Sequence, residues 1–342
     1  MNNQTLTICI ATYNRASFLD ELLDDLIVQI ANTDSVSILV VDGCSTDNTQ
    51  DICLKYSKIS TAFKSILLEE KGGIDKDFDI AVRSSNSDFC WLFCDDDKMR
   101  PGAVKAILDK INSENPDLMI INASVCNYEL DTVLLEKSID INEDVIIQNQ
   151  PDMQDKIFEL CQTYLGVTDA LLVRKSLWCN VNTELFYGNR FGDMCTVGKF
   201  PQLSKVIVIH EPHVLIRLAN AEWTDISFKI WYSFYPDTIN IHSQLSDRVK
   251  KILVPDSLIW HIKFLLSYRT MNAFGLSHYR EFLKPRSYSI RAIGILILLI
   301  PPFALRYFFI LKAFLSRDVL AMYNLTDGRV SRNSWKSDDN TI

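Results

Sequence analysis

The chain has 342 residues, 48% of them hydrophobic and 23% charged, enough for one large domain with an appendage or for two domains. Arg280 to Lys336 holds ten basic and three acidic residues, a net +7, whereas the remainder holds 25 basic and 40 acidic, a net −15. An acidic body with a basic end excludes general nucleic-acid binding and suits a membrane-facing tail. The nine cysteines are odd in number and lack metal spacing, so neither a disulfide framework nor a zinc site is supported.

Met1–Thr7 is polar and does not read as a signal peptide. Leu6–Ala11 is a short apolar strand, and Thr12-Tyr13-Asn14-Arg15 is the turn after it. Phe18, Leu19, Leu22, Leu23, Leu26, Ile27 and Ile30 fall at helical spacing with acids between them, an amphipathic helix with one buried stripe. Val36–Val41 is a second strand, ending in Asp42-Gly43. Ser45-Thr46-Asp47 supplies N-caps for a helix to about Tyr56. A third strand (Phe63–Leu68), a break at Gly72-Gly73 and a helix (Asp75–Ser84) lead to a fourth strand at Phe89–Cys94. Pro101 opens a helix to about Ile111, and Leu118–Ala123 is the next strand. Strand and helix alternate, which predicts an α/β fold: a doubly wound, Rossmann-like parallel sheet with right-handed crossovers.

From Ser124 to Pro151 the pattern is weak and reads as a variable excursion. Met153–Tyr164 has helical spacing, Asp169–Val173 reads as a strand, Phe186–Asp193 as a loop, and Val206–Ile209 as a strand followed by His210-Glu211-Pro212-His213. Trp223–Phe234 is rich in aromatics, and helices fill about Pro255 to Leu283. Ala292–Leu305 is the most hydrophobic window. At 14 residues it is shorter than the roughly 20 that span a bilayer, it contains Pro301-Pro302, and cations fence it on both sides. These features predict a monotopic or re-entrant anchor on the cytoplasmic leaflet, with a buried core helix as the alternative. A polar tail follows from Asp327.

The chemistry concentrates at Phe89–Asp97, where six apolar or aromatic residues run straight into Asp95-Asp96-Asp97. Such a run reads as a strand buried on both faces, and three acids at its end cannot share that burial without a cation. The pattern points to a divalent site for Mg²⁺ or Mn²⁺, against a solvated acidic turn. Three features follow the carboxyl ends of separate strands: Thr12–Arg15, Asp42-Gly43 and Asp95–Asp97. In a doubly wound sheet those ends converge on one crevice. Neither a P-loop nor a dinucleotide fingerprint is present.

The stretches ICIATYNR, ILVVDGCSTDNT and CWLFCDDDKMRPGAV resemble the family 2 glycosyltransferases of the GT-A fold over about residues 5–115. A weaker likeness runs to about 225 through Gly192-Asp193 and Arg217–Trp223. Within the family, the length, the GGIDKDF segment and the short apolar tail are most similar to bacterial O-antigen enzymes of the abequosyltransferase type. The resemblance implies a glycosyltransferase domain over 1–225, with a nucleotide-sugar half to about 123 and an acceptor half from 124. A helical region (226–290), an apolar, basic segment (291–318) and a polar tail (319–342) follow.

The resemblance also implies roles. Thr12, Tyr13 and Arg15 border the nucleotide, and Asp42 accepts a hydrogen bond from the base without identifying it. Asp95 touches the ribose or a metal-bound water, Asp96 lies between, and Asp97 binds Mn²⁺ or Mg²⁺, with Asp95 and His213 (beside His210) as further candidate ligands. Asp193 is the general base, although the family form there is Glu-Asp and this chain has Gly192-Asp193. Arg217 is a candidate partner for the diphosphate. Lys76, Asp77 and Asp79 stand where the family often has an arginine–asparagine pair, and Trp223, Trp231 and Tyr232 are candidates to stack on an acceptor sugar. The implied reaction moves a sugar, such as the 3,6-dideoxyhexose abequose, from a nucleoside-diphosphate donor (CDP, UDP or dTDP type) with inversion. The implied acceptor is a polyprenyl-diphosphate-linked oligosaccharide at the cytoplasmic face of the bacterial inner membrane, an anionic surface. The alternatives are a sugar nucleotidyltransferase, which usually has a glycine-rich loop that ATYNRASF lacks, and a non-catalytic nucleotide-sugar-binding membrane adaptor.

Overall fold

The computed structural model describes residues 4–200, 203–220 and 226–327. The chain divides into two compact units. The first comprises Met1–Val125, Glu136–Arg217 and Ile241–Val249; the second comprises Cys126–Leu135, Leu218–Asn240 and Lys250–Ile342.

In the first unit β1 (Leu6–Thr12), β2 (Val36–Asp42), β3 (Phe63–Leu67) and β4 (Phe89–Cys94) run parallel in the order β3-β2-β1-β4. β1, β2 and β4 are buried almost throughout, whereas β3, at the edge, buries only Phe63. The apolar runs are continuous because helices cover both faces of such a sheet. α1 (Ala16–Ile30) buries Leu19, Leu22, Leu23, Leu26 and Ile30, the predicted stripe. Each such side chain contributes about 1.5–3 kcal/mol on burial. α2 (Thr49–Ile59), α3 (Ile74–Ser84) and α4 (Ala103–Glu114) complete the alternation.

Beyond β4 the sheet is mixed: the strand expected through residue 123 keeps the direction of β4, but a returning antiparallel strand separates the two. β6 (Leu118–Cys126) does not pair with β4; β9 (Leu171–Arg174) lies between them, antiparallel to both. Trp91, at the centre of β4, donates its indole N–H to the Asp169 carbonyl at 2.8 Å and helps hold the returning segment there. β10 (Lys205–Arg217) follows β6 in the sheet order, with β5 (Lys98–Met99) and β8 (Val145–Gln148) antiparallel to it. β8 arises within the segment read as an irregular excursion, and β7 (Val133–Leu135) belongs to the second unit. β10 has 13 residues, so His210 and His213 lie inside a strand rather than after one.

α5 (Met153–Cys161) stops three residues short of the predicted end, where Gln162–Gly166 tightens into a 3-10 turn. A second 3-10 turn, Thr168–Ala170, leads into β9. α6 (Lys175–Cys179) follows β9, and α7 (Gly192–Val197) begins inside the segment predicted as a loop.

The second unit is organised on Phe228, which stacks on Tyr232 (5.2 Å between centroids) and Phe274 (5.5 Å) and meets Phe264 and Tyr268 edge-on. Tyr232 is therefore core, with Trp231 packed against it. Trp223 lies outside the described residues, as does the tail beyond Asp327. Ala292–Leu305 is not one element: Tyr288–Leu298 and Pro302–Ser316 are separate helices bent by 90°. Pro301-Pro302 makes the break, since proline cannot continue the first helix but suits the first turn of the second. Among the described residues no single helix is long and apolar enough to cross a membrane.

Candidate active site

Sheet register alone brings the predicted features together. Thr12 lies opposite Asp42 and Ala11 opposite Cys94, so the turn after β1, the end of β2 and the three acids after β4 open at one edge. Asn14 takes a left-handed conformation (φ 55°), its amide donates to Ser45 Oγ at 2.8 Å, and its Oδ1 accepts the Thr46 amide at 2.7 Å. Asparagine tolerates this region better than most residues, and here it ties the first two loops. Buried Asp42 accepts the Ser45 amide at 2.8 Å and the Gln50 side-chain amide. The Lys71 ammonium sits 3.5 Å from the centroid of the Tyr13 ring.

The three acids have different partners. Asp95 accepts Thr12 Oγ1 at 2.7 Å and Arg15 Nη1 at 3.1 Å. Burial pushes its carboxyl up to about 7 against the pull of Arg15, with the Asp96 charge adding to the rise. Asp96 pairs with Arg15 Nη1 at 2.8 Å. Asp97 accepts the Arg217 amide at 2.7 Å. Burial holds its carboxyl well above the usual carboxylate range, and Asp169 and Asp96 push the same way.

Cys94, Asp96 and Asp97 offer ligand atoms that all lie within 4.8 Å of one another. Two hard carboxylate oxygens fit Mg²⁺ or Mn²⁺, and the thiol is a softer neighbour. A buried acid that lacks a compensating charge is also what a divalent ion would relieve, so the donor set fits such an ion. Asp95 and His213, offered as ligands by the sequence, are outside this group. The groups whose charges act on His213 are Glu211, Asp144, Arg100 and His210, and His210 Nδ1 is hydrogen-bonded to Asp144 at 3.0 Å. The Arg217 guanidinium is engaged by Glu21 (2.7 Å) and by the Asp96 carbonyl (2.7 Å).

Asp193 is buried in the first turn of α7. Its Oδ2 accepts Thr168 Oγ1 at 2.8 Å and its Oδ1 accepts the Met194 amide at 2.7 Å. Burial pushes its carboxyl up to about 6, the Asp75 charge adding to the rise. Thr168 is the neighbour of Asp169, whose Oδ1 accepts the Cys94 amide at 2.7 Å. The turn Thr168–Ala170 thus connects Asp193 on one side to the acids after β4 on the other.

Asp169 and Asp75 carry no local sequence signal. Asp75, from α3, accepts the amides of Arg190 and Gly192, both at 3.0 Å. A Cβ on Gly192 would lie 2.7 Å from Asp75 Oδ1, which gives a physical reason for glycine where the resembled family has glutamate. Gly192→Ala is expected to destabilise the fold by about 1–3 kcal/mol through overpacking, read as a lower urea midpoint; an unchanged midpoint would mean that Asp75 yields freely. Asp77, named from the sequence with Lys76 and Asp79, is buried. Its Oδ1 has no hydrogen-bond partner, and Cβ atoms on Gly43 and Gly72 would come within 2.9 and 3.0 Å of its carboxylate. Asp79, by contrast, is held by Arg83, Trp178 and Tyr187.

The glycosyl transferase family 2 model matches residues 7–176. The abequosyltransferase RfbV of Salmonella typhimurium is 23% identical over 189 residues, 53% of this chain and 56% of that protein, so the match spans little more than half of the relative. The glycosyltransferase GlyG of Streptococcus pneumoniae is 20% identical over 72% of this chain and 81% of its own length. Among solved structures, TarS (1–349) of S. aureus in complex with UDP-GlcNAc superposes with a TM-score of 0.61 at 16% identity, covering 94% of this chain and 90% of that one. The mannosyltransferase PcManGT of Pyrobaculum calidifontis, in complex with GDP-Man and Mn²⁺, gives 0.52 at 14% identity over 96% of this chain and 89% of its own. With its family domain beginning in β1 and running through β9, the chain belongs to glycosyltransferase family 2 and has the GT-A fold.

Proposed function

We propose that this glycosyltransferase takes a sugar, a 3,6-dideoxyhexose such as abequose, from a CDP-, UDP- or dTDP-linked donor. It passes the sugar with inversion to a hydroxyl of a polyprenyl-diphosphate-linked O-antigen oligosaccharide at the cytoplasmic face of the bacterial inner membrane. The observation that carries this reading is the linkage of Asp193, through Thr168 and Asp169, to the acids at the end of β4. The name of the abequosyltransferase relative supports the sugar, and the nucleotide-sugar complexes of the structural neighbours support a nucleotide-sugar donor.

Asp193 removes the acceptor hydroxyl proton as the oxygen attacks the anomeric carbon from the face opposite the leaving diphosphate. The new glycosidic C–O bond forms as the bond to the β-phosphate oxygen breaks, and the proton ends on the Asp193 carboxylate. A carboxyl raised to about 6 is a stronger base than a solvated aspartate and is still ionised at neutral pH. Thr168 Oγ1 and the Met194 amide fix its orientation. Asp96 and Asp97 would hold Mn²⁺ or Mg²⁺, which when bound supplies charge neutralisation for the departing nucleoside diphosphate. Thr12 and Arg15 hold Asp95 beside them, and Asp42 and Asp77 offer buried carboxyls to the base and ribose.

A thermal-shift panel of UDP, CDP, GDP and dTDP, with and without Mn²⁺, tests the donor assignment. The cognate diphosphate at a hundredfold excess over its Kd should stabilise the fold by about 2.7 kcal/mol, and only in the presence of the ion. No shift with UDP, CDP or dTDP, together with no donor hydrolysis, would reject the reading.

A further inference from the structure

We propose that the helices Tyr288–Leu298 and Pro302–Ser316 form a re-entrant hairpin that seats in one leaflet of an anionic bilayer without crossing it. The inference deepens the reading of a membrane-borne acceptor given above and rests on it for its purpose, while its geometry stands separately.

Both helices leave apolar faces to solvent. Leu296 is exposed on the first and Leu299 just past its end, and Phe303, Tyr307, Leu311 and Leu315 are exposed on the second, where they recur at helical spacing as one stripe. Leu299, Tyr307 and Leu315 are each more than 70% exposed, and an apolar patch of this extent marks a docking surface. The opposite side of the pair is satisfied: Ile290, Ile297 and Ala313 are buried.

Length and angle decide how such a hairpin meets lipid. A helix of 15 residues is about 22 Å long, against about 30 Å of hydrocarbon. The two helices meet at 90°, so their lengths do not add along one axis. Carbonyls at a broken helix need partners in lipid. Here the Leu298 and Ile300 carbonyls accept Arg269 Nη2 and Nε at 2.9 and 3.0 Å, and Nη1 holds the Phe274 carbonyl at 3.1 Å. The bend is thus satisfied from within the unit.

Charge selects the occupant. Arg280–Asp318 holds seven basic and two acidic residues, a net +5 in a chain of −8. Anionic headgroups complement that field. A second copy seated face to face would set +5 against +5.

Flotation of the full chain with vesicles of phosphatidylcholine alone, or with about a third phosphatidylglycerol, tests the proposal. Binding to the anionic vesicles should be at least roughly tenfold stronger, and Leu311→Asp with Leu315→Asp should weaken it about tenfold or more while leaving the nucleotide-induced thermal shift intact. For topology, Ser287→Cys and Ser316→Cys, each on a Cys179→Ser background, should both react with an impermeant maleimide added outside the proteoliposomes. Labelling from opposite sides, equal binding to uncharged vesicles, or a lipid-independent dimer dissolved by the two aspartates would each overturn the proposal. Failure of every donor to support transfer would sink the enzymatic reading without moving the flotation result.

Discussion

Asp193→Asn is expected to lower kcat for sugar transfer by about 10²–10⁴-fold, the range for loss of a positioned general base, while leaving donor affinity essentially unchanged. The asparagine keeps an oxygen for Thr168 Oγ1 or the Met194 amide, so the first turn of α7 should persist. The wild-type profile of kcat/KM should show an acidic limb near pH 6, because the base works only when ionised and burial has raised it to about 6. Thr168→Val removes a hydrogen bond that favours the charged form, and the limb should move to higher pH. Asp75→Asn removes a neighbouring negative charge, and the limb should move to lower pH. Stability follows the same sign. A carboxyl whose folded pKa is raised contributes most below its unfolded value of about 3.8, and that contribution is lost as pH rises through about 6. Turnover of the asparagine variant within a few-fold of wild type would remove Asp193 from the reaction.

The first half of the fold is legible in sequence because its strands are buried on both faces, and burial leaves continuous apolar runs. β1, β2 and β4, and the stripe of α1, follow from that pattern alone. The direction of β9 does not, because pairing between distant segments leaves no local trace; only the Trp91 indole bond to Asp169 shows why that segment inserts beside β4. The site divides similarly. Asp42 and Asp95–Asp97 are visible because each sits at the end of a recognisable strand. Their separate partners are not: Asp95 faces Thr12 and Arg15, whereas Asp97 faces Arg217 and Asp169, because the chain leaves β4 and turns at Asp95-Asp96. Asp75 and Asp169 act on residues far along the chain, so the substitution of glycine for glutamate at 192 is explained only by the helix that fills its space.

Asp97→Asn should separate stability from activity. In the metal-free protein Asp97 is buried beside Asp169 and Asp96, and all three influences disfavour its charge. A neutral asparagine removes that conflict while its Oδ1 can still accept the Arg217 amide, which Asp97 now holds at 2.7 Å. The metal-free variant is therefore expected to melt at or above the wild-type temperature, with the difference growing as pH rises, because the raised Asp97 carboxyl costs the wild-type fold more at higher pH. Manganese affinity should fall by about 10–100-fold or more, the scale set by losses around a metal centre, and turnover should fall with it. Such opposition is the usual relation between a strained functional group and the fold that holds it. A variant that keeps the wild-type response of its melting temperature to Mn²⁺, or its turnover, would show that Asp97 is an ordinary buried acid. A variant that melts well below wild type without metal would show instead that the Asp97 carboxylate stabilises the end of β4.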